Sequence, residues 1–348
     1  MRDYSLLGPD AHSAVERGLA SAEWYRTPVE RKRMKELMKR SDGPAIRDTV
    51  IWIGLMVVFA TLGVLWWFSW RSIVCFLLYG VLYGSGGDSR WHECGHGTAF
   101  KTSWMNTVVY NIACFMMMRE PTVWRWSHTR HHTDTIIVGR DPEIVAMRPP
   151  KLGHIAANFL GIFDIANAMR VMVVHSLRRM NPEEATYVPE SEHPKVYRTS
   201  QIWLIIYVAT VAWAIAERTI LPLVVVGGPR CYGAWHHLMT GLTQHGGLGE
   251  NVTDHRLVTR SVKMNPVSRF IYWNMNYHVE HHMFPLVPYH ALPALHAEIA
   301  DDLPPMMPSI AAAFAEFGPV LLRQRRDPEV FIHRQLPGTG SPAAGYSS

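Results

Sequence analysis

The chain has 348 residues, 48% of them hydrophobic, a mean hydropathy of −0.02 and a formal charge of +5. That length holds one large domain or two ordinary ones, and that hydropathy fits a soluble protein or a membrane protein with large polar parts. The excess of cations raises nucleic acid as a partner, but no zinc-finger or RNA-binding signature accompanies it, so no nucleic-acid role is expected.

The N-terminal segment 1–48 is polar and basic. Ten Lys and Arg fall in the first 49 residues, six of them in "RKRMKELMKR", and there is no apolar signal-peptide core. The stretch Val50–Phe68, "VIWIGLMVVFATLGVLWWF", then runs nineteen residues without a charge. At the rise of an α-helix that spans a hydrocarbon core of about 30 Å. A second uncharged run, 72–87, follows after Arg71, and a second apolar block covers 200–242 with Glu217 and Arg218 at its centre. These read as two hairpins and four spans. The weakest is 219–242, where Pro229 and Arg230 sit mid-span and Arg230 has to face protein or water. Basic residues flank the first span on its N-terminal side, while the two outer turns carry only Arg71 and Arg218. The positive-inside rule therefore places both termini, 88–199 and 243–335 on the cytoplasmic side. Attraction to anionic lipid accounts for the basic clusters.

The cysteines at 75, 94, 114 and 231 form no C-x-x-C and read as thiols of a reducing compartment. From Leu336 the chain is small and polar and reads as disordered. Its "LPGTG" looks like a sortase signal but lacks the hydrophobic segment and basic end that must follow.

Nineteen histidines are distributed in a pattern. Three tight groups stand out: His92 and His96 in "WHECGHGTAF", then His128, His131 and His132 in "HTRHH", then His278, His281 and His282 in "HVEHH". Spacings of three and four place imidazoles on one helical face. Eight such groups are too many for one ion, since a zinc site uses three or four ligands. They suit two ions, and imidazole alone leaves iron, zinc, copper and nickel open. Soluble di-iron bundles use glutamates with E-x-x-H pairs, so the histidines here stand in for most of the carboxylates.

The order H-x-x-x-H, H-x-x-H-H, H-x-x-H-H with intervening hairpins resembles the integral-membrane fatty acid desaturase and hydroxylase family, from about residue 50 to about residue 300. The neighbourhood "NYHVEHHMFPLVPYH" is similar to that of the family's third box. The stretches "WHECGHGTAFKT" and "WSHTRHHTDTIIVGRDPE" resemble a bacterial subgroup that includes an oxygenase of rhizopine breakdown. The resemblance implies a non-haem di-iron oxidoreductase that uses O2 and two external electrons on aliphatic C–H bonds. Fatty-acyl desaturation is the leading reading; hydroxylation or monooxygenation of a lipid or small molecule is the alternative. It also implies a ninth nitrogen ligand upstream of the third box. His236, His237, His245 and His255 are the candidates, and His245 in "GLTQHGG" is favoured.

Metal-bound histidines generally give their second N–H to a carboxylate or carbonyl. Glu93, Asp134, Asp141 and Glu280 are candidates for that partnership, and Asn276 is placed to orient a ligand. Trp124, Trp126 and Trp273 flank the boxes and fit interfacial anchoring. No Rossmann, flavin or haem-domain signature appears, so a separate ferredoxin, Rieske protein or cytochrome is the expected donor. Arg31, Lys32 and Arg33 form a patch suited to steering an acidic carrier.

Two other classes fit poorly. H-E-x-x-H on a helix is a zinc-protease motif, but the run continues "GTAFKT" without the extended ligand pattern, and six box histidines would have no use. A metal transporter would carry its site near the bilayer midplane, whereas the boxes lie beyond the spans. The expected architecture is an all-α integral membrane protein with four transmembrane helices in two hairpins. A cytoplasmic helical cap holds the histidine-rich di-metal site, in one domain over 1–348.

Overall fold

Apolar runs without a charge, broken by Gly and Pro, leave helix as the local solution wherever the backbone must satisfy itself away from water. The computed structural model describes residues 2–337 and is helical throughout. Among the described residues the one β-like pairing is an isolated bridge between Val262 and Met307. The expected disordered tail lies, from residue 338 on, outside the described residues. Two compact units are present. One comprises Ser41–Trp126 and Leu152–Met239; the other comprises Met1–Arg40, Ser127–Lys151 and Thr240–Ser348.

The first of these is the apolar unit. Its helix Asp42–Leu65 turns at Phe68, which adopts positive φ, and the chain returns as Trp70–Gly84. The pair is tied by Trp52 Nε1 donating to the Leu82 carbonyl at 2.7 Å and Ser72 Oγ donating to the Gly63 carbonyl at 2.7 Å. Outward faces carry exposed Val50, Val57, Ile73 and Leu77, and the long helix His193–Ala216 likewise exposes Ile205, Val208 and Ile215. Large apolar side chains facing outward in rows suit a lipid solvent.

Two helical stretches, Arg31–Leu65 and Glu190–Ala216, are long and apolar enough to cross a membrane. A third candidate is the pair Leu152–Asn158 and Ile162–Ser176, bent by 81° at its break. The other two expected spans take a different form. Trp70–Gly84 has 15 residues, on the order of 22 Å of helix, short of the hydrocarbon core. The segment 219–242 is broken into Leu221–Val225, Pro229–Gly233 and the start of Trp235–His245. The breakers are legible: Pro222, then Gly227 at φ +81, Gly228 and Pro229. Arg230 is 1% exposed and faces protein, donating to the Gly84 carbonyl at 3.3 Å with Asp164 at 3.9 Å.

Pro229–Gly233 packs on Trp70–Gly84 through glycines. A Cβ on Gly233 would overlap the Gly80 carbonyl oxygen, and one on Gly84 would stand 2.8 Å from the Pro229 carbonyl oxygen. "GVLYG", Gly80 to Gly84, is a G-x-x-x-G pattern, which lets helix backbones approach closely in an apolar medium.

The second unit is built around the third-box helix His278–Met283. Val279 and Met283 join Val287, Leu292, Leu295 and Ile299 in a buried cluster that also receives Leu37 from the N-terminal segment. That segment is bound along its length. Tyr4 donates to Glu250 at 2.6 Å, Tyr25 N donates to the Thr253 carbonyl, and Arg33 pairs with Glu298 at 2.9 Å. Of the three cations expected to steer a carrier, Arg31 and Lys32 are exposed while Arg33 is engaged with Glu298.

Gly233→Ala is expected to destabilise the protein by about 1–3 kcal/mol or more, because overpacking against backbone has no side chain to relax. Gly54→Ala, with nothing within 4 Å of the added Cβ, is the control and leaves the melt unchanged or higher. Thermal unfolding in detergent micelles measures both.

Candidate metal centre

The second box sits on the helix Pro121–Thr133 and the third on His278–Met283. In each, spacings of three and four put the imidazoles within one turn on one side. In the second unit the two boxes and His245 form two groups of nitrogen donors.

In one group, His132 Nε2 lies 3.1 Å from His128 Nε2 and 3.1 Å from His281 Nε2. In the other, the donor atoms of His131, His245, His278 and His282 all lie within 4.8 Å of one another. His278 Nε2 is 3.1 Å from His245 Nε2 and 3.0 Å from His282 Nε2.

The outward nitrogens decide what the inward ones offer. His245 Nδ1 lies 2.8 Å from the Val258 carbonyl, which only accepts, so Nδ1 carries the proton and Nε2 a lone pair. Asp141 receives His131 Nδ1 at 2.8 Å, together with the backbone N–H groups of Ile136 and Glu143. The hydroxyl of Thr135 donates to the His131 carbonyl at 2.7 Å, so toward His282 Nδ1 at 3.2 Å it accepts. Three lone pairs therefore face one another, and His278 supplies at most one N–H among them. In the other group, Glu143 takes His128 Nδ1 at 3.1 Å while Ser127 Oγ donates to the same carboxylate at 2.8 Å.

Burial pushes His245, His278, His281 and His282 well below the ordinary imidazole range, aided by neighbouring histidines. Burial also opposes charge on His131, but Asp141 outweighs it and raises that group. Burial pushes Glu143 up, and His128 with Ser127 more than reverses this, holding it below the usual carboxylate range. Neutral imidazoles with converging lone pairs repel unless a cation sits among them. The residues present thus fit metal ions, and the all-nitrogen donor set suits iron, zinc, copper or nickel.

The remaining expected residues are placed as follows. His92 lies on the helix Gly86–Gly95 of the apolar unit and His96 caps it, with ring centroids 5.3 Å apart. Glu93 is fully buried, 3.5 Å from His92 Nδ1. Asp134 turns to Arg140 at 2.9 Å and to Arg130 at 3.6 Å rather than to an imidazole. Glu280 is two residues from His278, off the ligand face, and its carboxylate meets Ser261 Oγ at 2.5 Å and His296 Nδ1. Asn276 Nδ2 donates to the Val262 carbonyl at 2.9 Å, fixing the backbone ahead of the third box. His237 pairs with Asp88 at 2.9 Å, and His255 lies 5.3 Å from His282, ring to ring. Trp273 is no interfacial anchor; it is 1% exposed and stacked on Tyr289. Trp124 lies under the Arg119 guanidinium, 4.0 Å from its centroid.

Sequence reasoning missed Glu143 and the Val258 carbonyl. Glu143 had a signal, a second carboxylate two residues after Asp141 in "RDPE". A backbone carbonyl has none.

The family model for fatty acid desaturase matches residues 66–312. This chain belongs to the fatty acid desaturase family. It is also 24% identical over 294 residues to the acyl-lipid omega-3 desaturase (cytochrome b5), endoplasmic reticulum, of Arabidopsis thaliana, an alignment covering 77% of this chain and 70% of the plant desaturase. The intramembrane-protease and transporter readings give way to this membership.

Replacing Asp141 with Asn or Glu143 with Gln is expected to lower metal affinity roughly 10–100-fold, the usual consequence of losing a ligand's outer partner. Asp134→Asn, which meets only arginines, leaves it unchanged. Chelator competition followed by metal analysis distinguishes the three.

Proposed function

We propose that this protein is an O2-dependent membrane di-iron oxidoreductase that desaturates a fatty-acyl chain. The observation that carries the reading is the pair of converging imidazole groups, with His131, His245 and His128 held from behind by Asp141, the Val258 carbonyl and Glu143. Two irons are held by His92, His96, His128, His131, His132, His278, His281 and His282, with His245 as the ninth nitrogen ligand. When bound, the irons supply the activation of O2 for attack on an unactivated C–H bond, which no amino-acid side chain provides.

The chain's own work is to hold and orient. Asp141 fixes the His131 tautomer so that Nε2 always faces inward. The Val258 carbonyl does the same for His245, and Thr135 for His282. Desolvation keeps His245 and His282 neutral and therefore able to donate electron pairs, and each outward hydrogen bond raises ligand basicity. Removing two hydrogens yields an alkene, whereas returning an oxygen yields an alcohol.

Electrons come from a separate one-electron carrier. The plant relative is named for cytochrome b5; a carrier of that class, or a ferredoxin or Rieske protein, serves here. The chain crosses the membrane several times, with four segments in two hairpins, and holds both termini and the metal centre on the cytoplasmic side. The ten basic residues of the first 49 support that orientation.

Two measurements test the reading. Purified protein is expected to hold two irons per chain, and His131→Ala to lose iron and turnover together; full iron and activity in that variant sinks the assignment. Expressed in a lipid-producing host with a matching donor, the protein is expected to yield acyl chains lacking two hydrogens. Acyl chains with one added oxygen identify a hydroxylase instead, and unchanged lipids point to a small-molecule substrate.

A further inference from the structure

On the reading of function above, electrons have to reach buried histidines from a carrier that stays outside. In the second unit an aromatic stack leads from the surface to a ligand ring. The Trp24 indole, half-buried, stacks on the His255 imidazole with centroids 4.3 Å apart and planes within 11°. His255 is 3% exposed, and its ring lies 5.3 Å from that of His282. Trp24 Nε1 donates to the Thr133 carbonyl at 2.9 Å, one residue beyond His132.

The stack is fixed on several sides. Trp24 packs on Ile136, Ile144 and Val258. Tyr25 N, next in sequence, donates to the Thr253 carbonyl at 3.0 Å, and Asp254 caps the helix that begins at His255. His296, half-exposed, instead meets the carboxylate of Glu280, which interposes saturated carbon before the third-box rings. Electronic coupling falls steeply across gaps and is carried best by rings in contact.

We propose that Trp24 and His255 form the entry route by which a docked one-electron carrier protein reduces the centre at His131, His245, His278 and His282. In each transfer the carrier is oxidised by one electron and the metal held by that group is reduced by one. No bond forms or breaks, and neither ring changes oxidation state, because the rings act as the coupling medium. Arg26, exposed two residues after Trp24, adds positive charge on the side from which the carrier approaches.

The test injects electrons at this point without needing the natural donor. Cys231 is the exposed cysteine and the other three are buried. In a Cys231→Ser background, exposed Glu23 is replaced by Cys and labelled with a photo-excitable ruthenium polypyridyl complex. Iron content, reduction by dithionite and flash-driven reduction of iron are then followed optically. Trp24→Leu is expected to slow the flash-driven step by an order of magnitude or more, and Trp24→Phe to restore most of it. Iron content and dithionite reduction stay at their original levels in both. An unchanged flash-driven rate in Trp24→Leu overturns the route. Should Trp24→Leu fail to fold, Trp24→Met, which fills the same space without a ring, carries the comparison. Absence of iron in the unsubstituted protein overturns the di-iron reading itself, and the route falls with it.

Discussion

Everything in the second unit answers to one electrostatic constraint: neutral imidazoles are packed with their lone pairs facing one another. His278 brings its Nε2 to 3.1 Å from His245 Nε2 and 3.0 Å from His282 Nε2, where lone pairs repel and at most one proton is on hand to mediate. The outer nitrogens of His131, His282 and His245 are pinned. Asp141, Thr135 and the Val258 carbonyl each fix a tautomer and leave the ring no alternative orientation. The energy set against the fold by this crowding is returned when a cation enters. A site of this kind couples folding to the binding of whatever cation it takes.

The apolar unit solves a different problem. Within a low-dielectric surround each backbone polar group needs a partner inside the protein, and a break in a helix exposes several at once. The chain breaks twice between Leu221 and Leu242, and it manages this by bringing Pro229–Gly233 into backbone contact with Gly80 and Gly84. Arg230, buried at the same place, uses its guanidinium to satisfy the freed Gly84 carbonyl. Broken helix and buried cation are thus one device rather than two anomalies.

The sequence makes the ligands legible and their supports much less so. Box spacing of three and four is a property of helix geometry, so His128, His131, His132, His278, His281 and His282 are readable from spacing alone. Asp141 is readable because it lies close behind the second box. Glu143 and Asp134 illustrate the difficulty. Both are carboxylates in the same loop, yet Asp134 falls toward arginines and Glu143 toward His128, a choice made by the path of the loop and not by residue type. Glu280 shows the reverse: helix geometry alone puts a residue two positions from His278 off the ligand face. The hydropathy of 219–242 suggests one span, while Gly227, Gly228 and Pro229 announce a break. Composition and punctuation disagree there, and punctuation prevails because a missing N–H and a positive φ cannot be averaged away.

The way the N-terminal segment is bound has a consequence for assembly. Arg2 pairs with Glu250, Thr27 N with the sulfur of Met283, Arg33 with Glu298, and Trp24 with Thr133. Residues synthesised early therefore complete a unit whose last pieces are made some 250 residues later. Domains usually fold as they emerge, N-terminal parts first, but here the early segment must wait, exposed and basic, through synthesis of everything between. A pause or truncation late in synthesis leaves the N-terminal segment without the partners that bury it.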